Sequence, residues 1–164
     1  MEQSIVISNT TPLIALAWLE RLDLLPALFG AVHIPDAVHA ELHSDPEKMG
    51  SAELAAASWL RVTVVENALA VQMLANELDA GESEAIVLAH EMRAGLLLMD
   101  ERRGRRRAAE GGLAVTGTLG ILIEARKRGL IGPLRPFLDR LRALPFRMTP
   151  ALYAETLSKV GEWP

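Results

Sequence analysis

Residues 4–12, Ser4-Ile5-Val6-Ile7-Ser8-Asn9-Thr10-Thr11-Pro12, decide the fold: a short apolar run passes into a polar cluster and then a proline. Ser4 to Ile7 reads as a buried strand. Thr11 before Pro12 reads as an N-cap followed by proline at the first helical position, where its missing N–H costs little and its fixed φ suits the helix. A strand, a polar turn and a helix in succession form the opening unit of an alternating α/β chain.

Working outward, the same unit recurs. A strand around Val32 to Ile34 runs into Pro35 and a helix carrying Glu41, and a third apolar stretch covers Leu60 to Val65, with helices filling the gaps. Asp79-Ala80-Gly81-Glu82 opens a strongly apolar helix to about Met92, followed by the strand Leu96 to Met99 and a basic helix. The strand Leu113 to Val115 and a helix from about Thr118 come next. Strands alternating with helices predict a three-layer α/β/α fold with a mainly parallel central sheet and helices on both faces. Beyond the turn at Gly129, Gly132 and Pro133, two more helices are expected, about Pro133 to Ala143 and Thr149 to Val160, separated by Leu144-Pro145-Phe146. They are too short for an independent domain, so residues 1–164 are expected to form one domain, the last helices covering the sheet or building a dimer contact.

With 164 residues, half of them hydrophobic but only 4% aromatic, the core must come mainly from Leu, Ala, Val and Ile. Cysteine is absent, which removes thiolate catalysis, disulfides and Cys-based zinc sites and suits a reducing compartment. The start carries no basic leader and the apolar run Pro12 to Leu19 is too short to span a bilayer, so a cytoplasmic protein without a membrane partner is expected. A formal net charge of −4 argues against a sequence-blind nucleic-acid coat protein. One basic cluster stands out: Arg102, Arg103, Arg105, Arg106 and Arg107, diluted only by Gly104. It reads either as a solvated helix face or as a phosphate-contacting surface.

In open α/β sheets, ligands bind beyond the carboxyl ends of the strands. Asn9, Asp100 and Thr116 each follow a strand directly, although Asp100 and Thr116 can also serve as N-caps of the helices they precede. Glu41 shares a helix face with Ala37 and Val38 and so points inward. Glu82 extends the buried face of Ala85, Ile86 and Ala89, yet it also completes a D-x-x-E capping box with Asp79. Glu84 is the competing acid on the same helix. Convergent carboxylates require a cation, and hard oxygen ligands without Cys or paired His favour Mg²⁺ or Mn²⁺ over Zn²⁺. His33, His39, His43 and His90 are scattered and read as surface or capping residues.

On these residues the chain resembles the PIN-like superfamily. The resemblance rests on IVISNTTPLIALA at 5–17, I-P-x-x-V-x-x-E-L ending at Leu42, LDAGESEAIVLA at 78–89, LLLMDERRGRR at 96–106 and VTGTLGIL at 115–122. More narrowly, it resembles a branch in which the opening Asp is often replaced within an S-N-T-(S/T)-P-L motif. The resemblance implies that Asn9 stands at the first catalytic acid's position, Thr10 at the adjacent hydroxyl, and Glu41, Glu82 and Asp100 at the other three acids. It further implies Mg²⁺ or Mn²⁺, an RNA substrate, a homodimer and a small antitoxin protein as partner, as in toxin ribonucleases. An amide oxygen can ligate a cation but carries no charge. At about 4 Å and an effective dielectric near 20, that forgoes about 4 kcal/mol per unit of metal charge before desolvation is credited back. Two readings follow: an active metal-dependent ribonuclease, or a catalytically impaired PIN-like module that binds RNA or a protein. A phosphoryl-transfer enzyme would want a nucleophilic Asp at position 9, and Gly117-Thr118-Leu119-Gly120 is not a phosphate loop.

Overall fold

The computed structural model describes residues 3–48, 50–145 and 148–163. In chain order the elements are β1 (Val6–Ser8), α1 (Thr10–Trp18), α2 (Leu24–Phe29), β2 (Val32–Ile34), α3 (Asp36–Leu42), α4 (Ser51–Ala56), β3 (Leu60–Val62) and α5 (Ala68–Leu74). There follow α6 (Ala80–Glu91), β4 (Leu96–Leu98), α7 (Arg102–Glu110), β5 (Val115–Thr116), α8 (Thr118–Lys127), α9 (Arg135–Leu141) and α10 (Pro150–Ser158). The five strands form one sheet in the order β3-β2-β1-β4-β5, and every pairing is parallel. This is the expected three-layer α/β/α architecture.

Strand residues alternate between two cores, as the pleat dictates. Val6 and Leu98 face one cluster, built with α1, α2, α3, α8, α9 and α10. Ile7, Leu97 and Met99 face the other, built with α6 and α7. Because the central strands are buried on both sides, they read as unbroken apolar runs rather than as alternating ones.

The chain leaves β1 toward β2 and β3 on one side, while β4 and β5 build outward on the other. The crevice between the carboxyl ends of β1 and β4 is therefore a topological switch point, the place where open parallel sheets accommodate ligands. Ser8 pairs with Leu98, and the next amide, that of Asn9, donates to the Leu98 carbonyl at 2.9 Å. Asn9 and the Asp100–Glu101 pair thus emerge side by side at this crevice.

Several expected boundaries move. β1 runs from Val6 to Ser8 rather than from Ser4 to Ile7. Asn9, not Thr11, is the N-cap of α1, and Pro12 is the third helical residue. The proline is tolerated there because the first four helical amides have no intrahelical acceptor in any case. β5 begins at Val115, two residues later than Leu113. The apolar stretch to Val65 yields only the edge strand β3, with Val62 and Val64 exposed. The start of α8 at Thr118 and the Asp79–Glu82 capping box are as expected. In the segment between α9 and α10, Phe146 lies outside the described residues.

Candidate active site

Asn9 caps α1 by position, but its side chain makes no capping hydrogen bond. It is only 3% exposed, and its amide nitrogen donates to Glu101 Oε2 at 3.2 Å. The Thr11 hydroxyl donates to the other oxygen, Glu101 Oε1. Glu101 is thus held by two donors from the strand-end turn that opens α1. An aspartate at position 9 would set two carboxylates against each other at this separation. With an effective dielectric near 20 that repulsion is about 5 kcal/mol at 3.2 Å, before solvent or a cation relaxes it. The asparagine turns the repulsion into a hydrogen bond, and the negative charge of the β1 corner is carried by Glu101.

Glu41, half-buried on α3, reaches the same corner from the other side. A Cβ on Gly81 would lie 2.6 Å from Glu41 Oε1 and 3.2 Å from Asn9 Oδ1. The missing side chain at the second residue of α6 therefore leaves a small cradle lined by a carboxylate and an amide oxygen. Glu82 follows at the next position, 7% exposed, with Oε2 accepting from the Asp79 amide at 3.2 Å while Asp79 Oδ1 accepts from the Glu82 amide at 2.8 Å. Both readings of Glu82 coexist: it is a cap and it borders the acidic corner. Burial raises its carboxyl above the usual range, and the charges of Asp79, Glu101 and Glu41 add to the rise, against the pull of the Asp79 amide. Glu84 faces elsewhere, accepting from the Ala37 amide at 3.3 Å at the start of α3.

Asp100 is turned toward α8. Its Oδ1 accepts from the Thr118 amide at 2.7 Å and its Oδ2 from the Thr118 hydroxyl at 2.7 Å. It thereby caps α8 from beyond the end of β4 rather than capping α7, and Gly117, not Thr116, stands at the N-cap position of α8. Burial pushes its carboxyl upward more strongly than the Thr118 hydrogen bonds pull it down, with Glu101 adding to the rise and Arg105 opposing it. Thr10 is 6% exposed and its hydroxyl has no hydrogen-bond partner among the described residues. Thr116 lines the adjoining pocket.

The arginines of α7 divide. Arg107 pairs with Glu110 at 3.4 Å and with Glu77 at 3.9 Å, and Arg103 donates to the Glu77 carbonyl at 3.3 Å. Arg102 and Arg105 border the pocket beside Asp100. Arg106 is exposed. Among the histidines, His39 and His43 stack edge-on at 4.4 Å, and His33 Nδ1 lies 3.0 Å from the Thr63 hydroxyl.

Sequence reasoning passed over Glu101, and it read Thr11 only as a cap and Thr118 only as a helix start. The signal for Glu101 was present: an uncharged residue at position 9 leaves room for an acid from the neighbouring strand end, and Glu101 follows Met99-Asp100 just beyond β4.

Among the described residues, none of Glu41, Glu82, Asp100 and Glu101 takes part in an ion pair. Neither do three His, Asp or Glu side chains among them converge closely enough to enclose a metal ion by themselves. The donors nevertheless fit a hard divalent cation. All are oxygens, the Gly81 cradle brings two of them together, and Mg²⁺ usually keeps several waters and takes only one or two carboxylates. Glu41 and the Asn9 amide oxygen are the groups that would hold it, with Glu82 and Glu101 as neighbouring acids.

Residues 5–162 match the family model DUF3368, a PIN domain. Comparison with curated proteins finds no match for the chain.

Proposed function

The chain belongs to the PIN-domain family, a nuclease-like fold, and from that premise we propose that it is a Mg²⁺- or Mn²⁺-dependent endoribonuclease hydrolysing RNA phosphodiesters at the β1–β4 crevice. The observation that carries this reading is the group Glu41, Glu82 and Glu101: Glu82 lies in the field of the other two, and none of the three is paired with a cation among the described residues. A bound divalent cation polarises the phosphodiester and lowers the pKa of an attacking water.

The chain's own contribution is positional. Asn9 and Thr11 fix the Glu101 carboxylate, the Asp79 amide fixes Glu82, and Thr118 fixes Asp100 beside the corner. Thr10 and Thr116 offer hydroxyls at the flanks, and the α7 arginines steer the RNA backbone. No helix among the described residues is long and apolar enough to cross a membrane. In this reading the protein works in the cytoplasm as a homodimeric toxin of a toxin–antitoxin pair, its cleft covered by a small antitoxin protein. That part rests on the family resemblance.

Asn9 and the absence of three converging acids among the described residues favour a second reading, a PIN-like module that binds RNA or protein without cutting. Assay of labelled single-stranded RNA with Mn²⁺ separates the two. The nuclease reading expects cleavage by the native chain, abolished by EDTA, by Glu41→Gln and by Asp100→Ala. Cleavage by Asn9→Asp alone establishes the non-cutting reading. Equal residual cutting by all variants is contamination and sinks the enzyme.

A further inference from the structure

Beside the acidic corner, on the β5 side of Asp100, lies a pocket of about 480 Å³ between α7, α8 and α10. Its rim carries Arg102 and Arg105, three positions apart on one face of α7, and Lys159 at the end of α10. Its wall carries an aliphatic patch, Leu119 and Ile123, one turn apart on α8, and Leu152 of α10, beside the polar Asp100, Thr116 and Thr156. The volume falls within the range of small-molecule sites, where an apolar lining with a few placed polar groups gives both burial and orientation.

The pocket is open because position 117 has no side chain. A Cβ there would lie 2.5 Å from Asp100 Oδ1 and 2.7 Å from Arg105 Nη1, so the glycine leaves room for both side chains. Arg102 and Arg105 take part in no ion pair among the described residues. Among the described residues, Lys159 pairs only with the exposed Glu155 at 3.3 Å, a surface contact worth about 0–1 kcal/mol that a phosphate can displace.

We infer that this pocket holds one nucleotide of a single-stranded RNA, its phosphate on Arg102, Arg105 and Lys159 and its base against Leu119, Ile123 and Leu152. The assignment rests on the nuclease reading for its choice of ligand. Three cations around an aliphatic patch complement a group that is anionic at one end and flat and apolar at the other. A paired base cannot enter, because in an A-form helix it is stacked and its major-groove edge is out of reach, whereas the bases of single strands splay out. Asp100 lines the pocket and is followed directly by Glu101 of the acidic corner, so a captured nucleotide would neighbour the phosphodiester to be cut. Of the five α7 arginines, the pair facing the pocket then matters more than the remainder.

Fluorescence polarisation of a labelled short single-stranded RNA, in EDTA so that nothing is cut, tests this directly. Ile123→Trp fills the pocket without touching charge and is expected to weaken binding about tenfold, the scale of one lost base contact. Lys159→Ala and Arg102→Ala are expected each to weaken binding and to lower the slope of log affinity against log salt by about 1. Arg128→Ala, an exposed cation paired with Glu124 on α8, is expected to bind as the native chain does. A hairpin duplex is expected to bind more weakly than the single strand.

Native-like binding by Ile123→Trp, equal binding of the duplex, or tighter binding of an acidic peptide than of RNA would each overturn the assignment. If pocket variants lose binding while the native chain never cuts with Mn²⁺, the pocket stands and the nuclease reading fails. If cutting survives with binding untouched by the pocket variants, the reverse holds.

Discussion

The hydrogen bond from Asn9 to Glu101 makes position 9 a test of whether charge at this corner is limited by the fold or by the cation. In metal-free protein, Asn9→Asp replaces a 3.2 Å donor–acceptor contact with two like charges at a 3%-exposed site. It is expected to cost about 1–3 kcal/mol of stability, the usual range for leaving a buried polar group unmatched. With Mn²⁺ the sign should invert, since the added carboxylate gains a cation. Thermal melts in EDTA and in Mn²⁺ read both arms, and an Asn9→Asp chain more stable than native in EDTA would refute the role given to Glu101. Gly81 makes the complementary case. A methyl there meets only the ends of two side chains, Glu41 Oε1 and Asn9 Oδ1. The fold can absorb it, and Ala gains up to about 1 kcal/mol of helix propensity over Gly. Gly81→Ala is therefore expected to melt within a few degrees of native while binding Mn²⁺ at least several-fold more weakly by calorimetry. Unchanged Mn²⁺ affinity would remove the cradle from the site.

At the scale of elements, α6 shows how a local signal and a distant one share a residue. The capping box is written into Asp79-x-x-Glu82 and needs nothing from the remainder of the chain. Asp79→Ala is expected to cost about 1 kcal/mol in chemical denaturation, and Asp79→Ser to recover most of it. Failure of the serine to rescue would mean that Asp79 acts otherwise than as a cap. The alternation of strands and helices, the start of α8 and the inward faces of Glu41 and Glu82 were legible for the same reason: they depend on near neighbours and on period. What was not legible depends on pairing across the sheet. Glu101 meets Asn9 only because β1 and β4 are adjacent, and Asp100 meets Thr118 only because β4 and β5 are. The arginines of α7 read as one basic run, but the helix sends Arg103 and Arg107 toward Glu77 and Arg102 and Arg105 toward the pocket. The early start of α1 follows likewise: Asn9 is drawn to a tertiary partner, so the helix begins without its side-chain cap.

At the scale of the whole molecule, a chain of formal net charge −4 gathers Glu41, Glu82, Asp100 and Glu101 near the carboxyl ends of β1 and β4, which links its stability to protons and, in the proposed function, to metal. Glu82 and Asp100 both hold their protons more firmly folded than unfolded, chiefly through burial. Their contribution is therefore fully present below the ordinary carboxylate range and is lost as pH rises through the elevated folded values. His33 works in the opposite sense, because burial lowers its pKa and acid charges it more readily in the unfolded chain. Comparison with Glu82→Gln removes that contribution, since glutamine can keep the capping box while losing the titration. In EDTA, the stability gap between Glu82→Gln and native protein should widen in the mutant's favour as pH rises from about 4.5 to 7.5, read from denaturation midpoints. Adding Mn²⁺ at neutral pH should close that gap. Saturation at a hundred times Kd stabilises the native chain by about 2.7 kcal/mol, and the mutant, lacking one carboxylate, should gain less. A gap that neither grows with pH nor responds to Mn²⁺ would mean that the acids at the β1–β4 crevice are balanced without a cation, and the metal-dependent reading would fall with it.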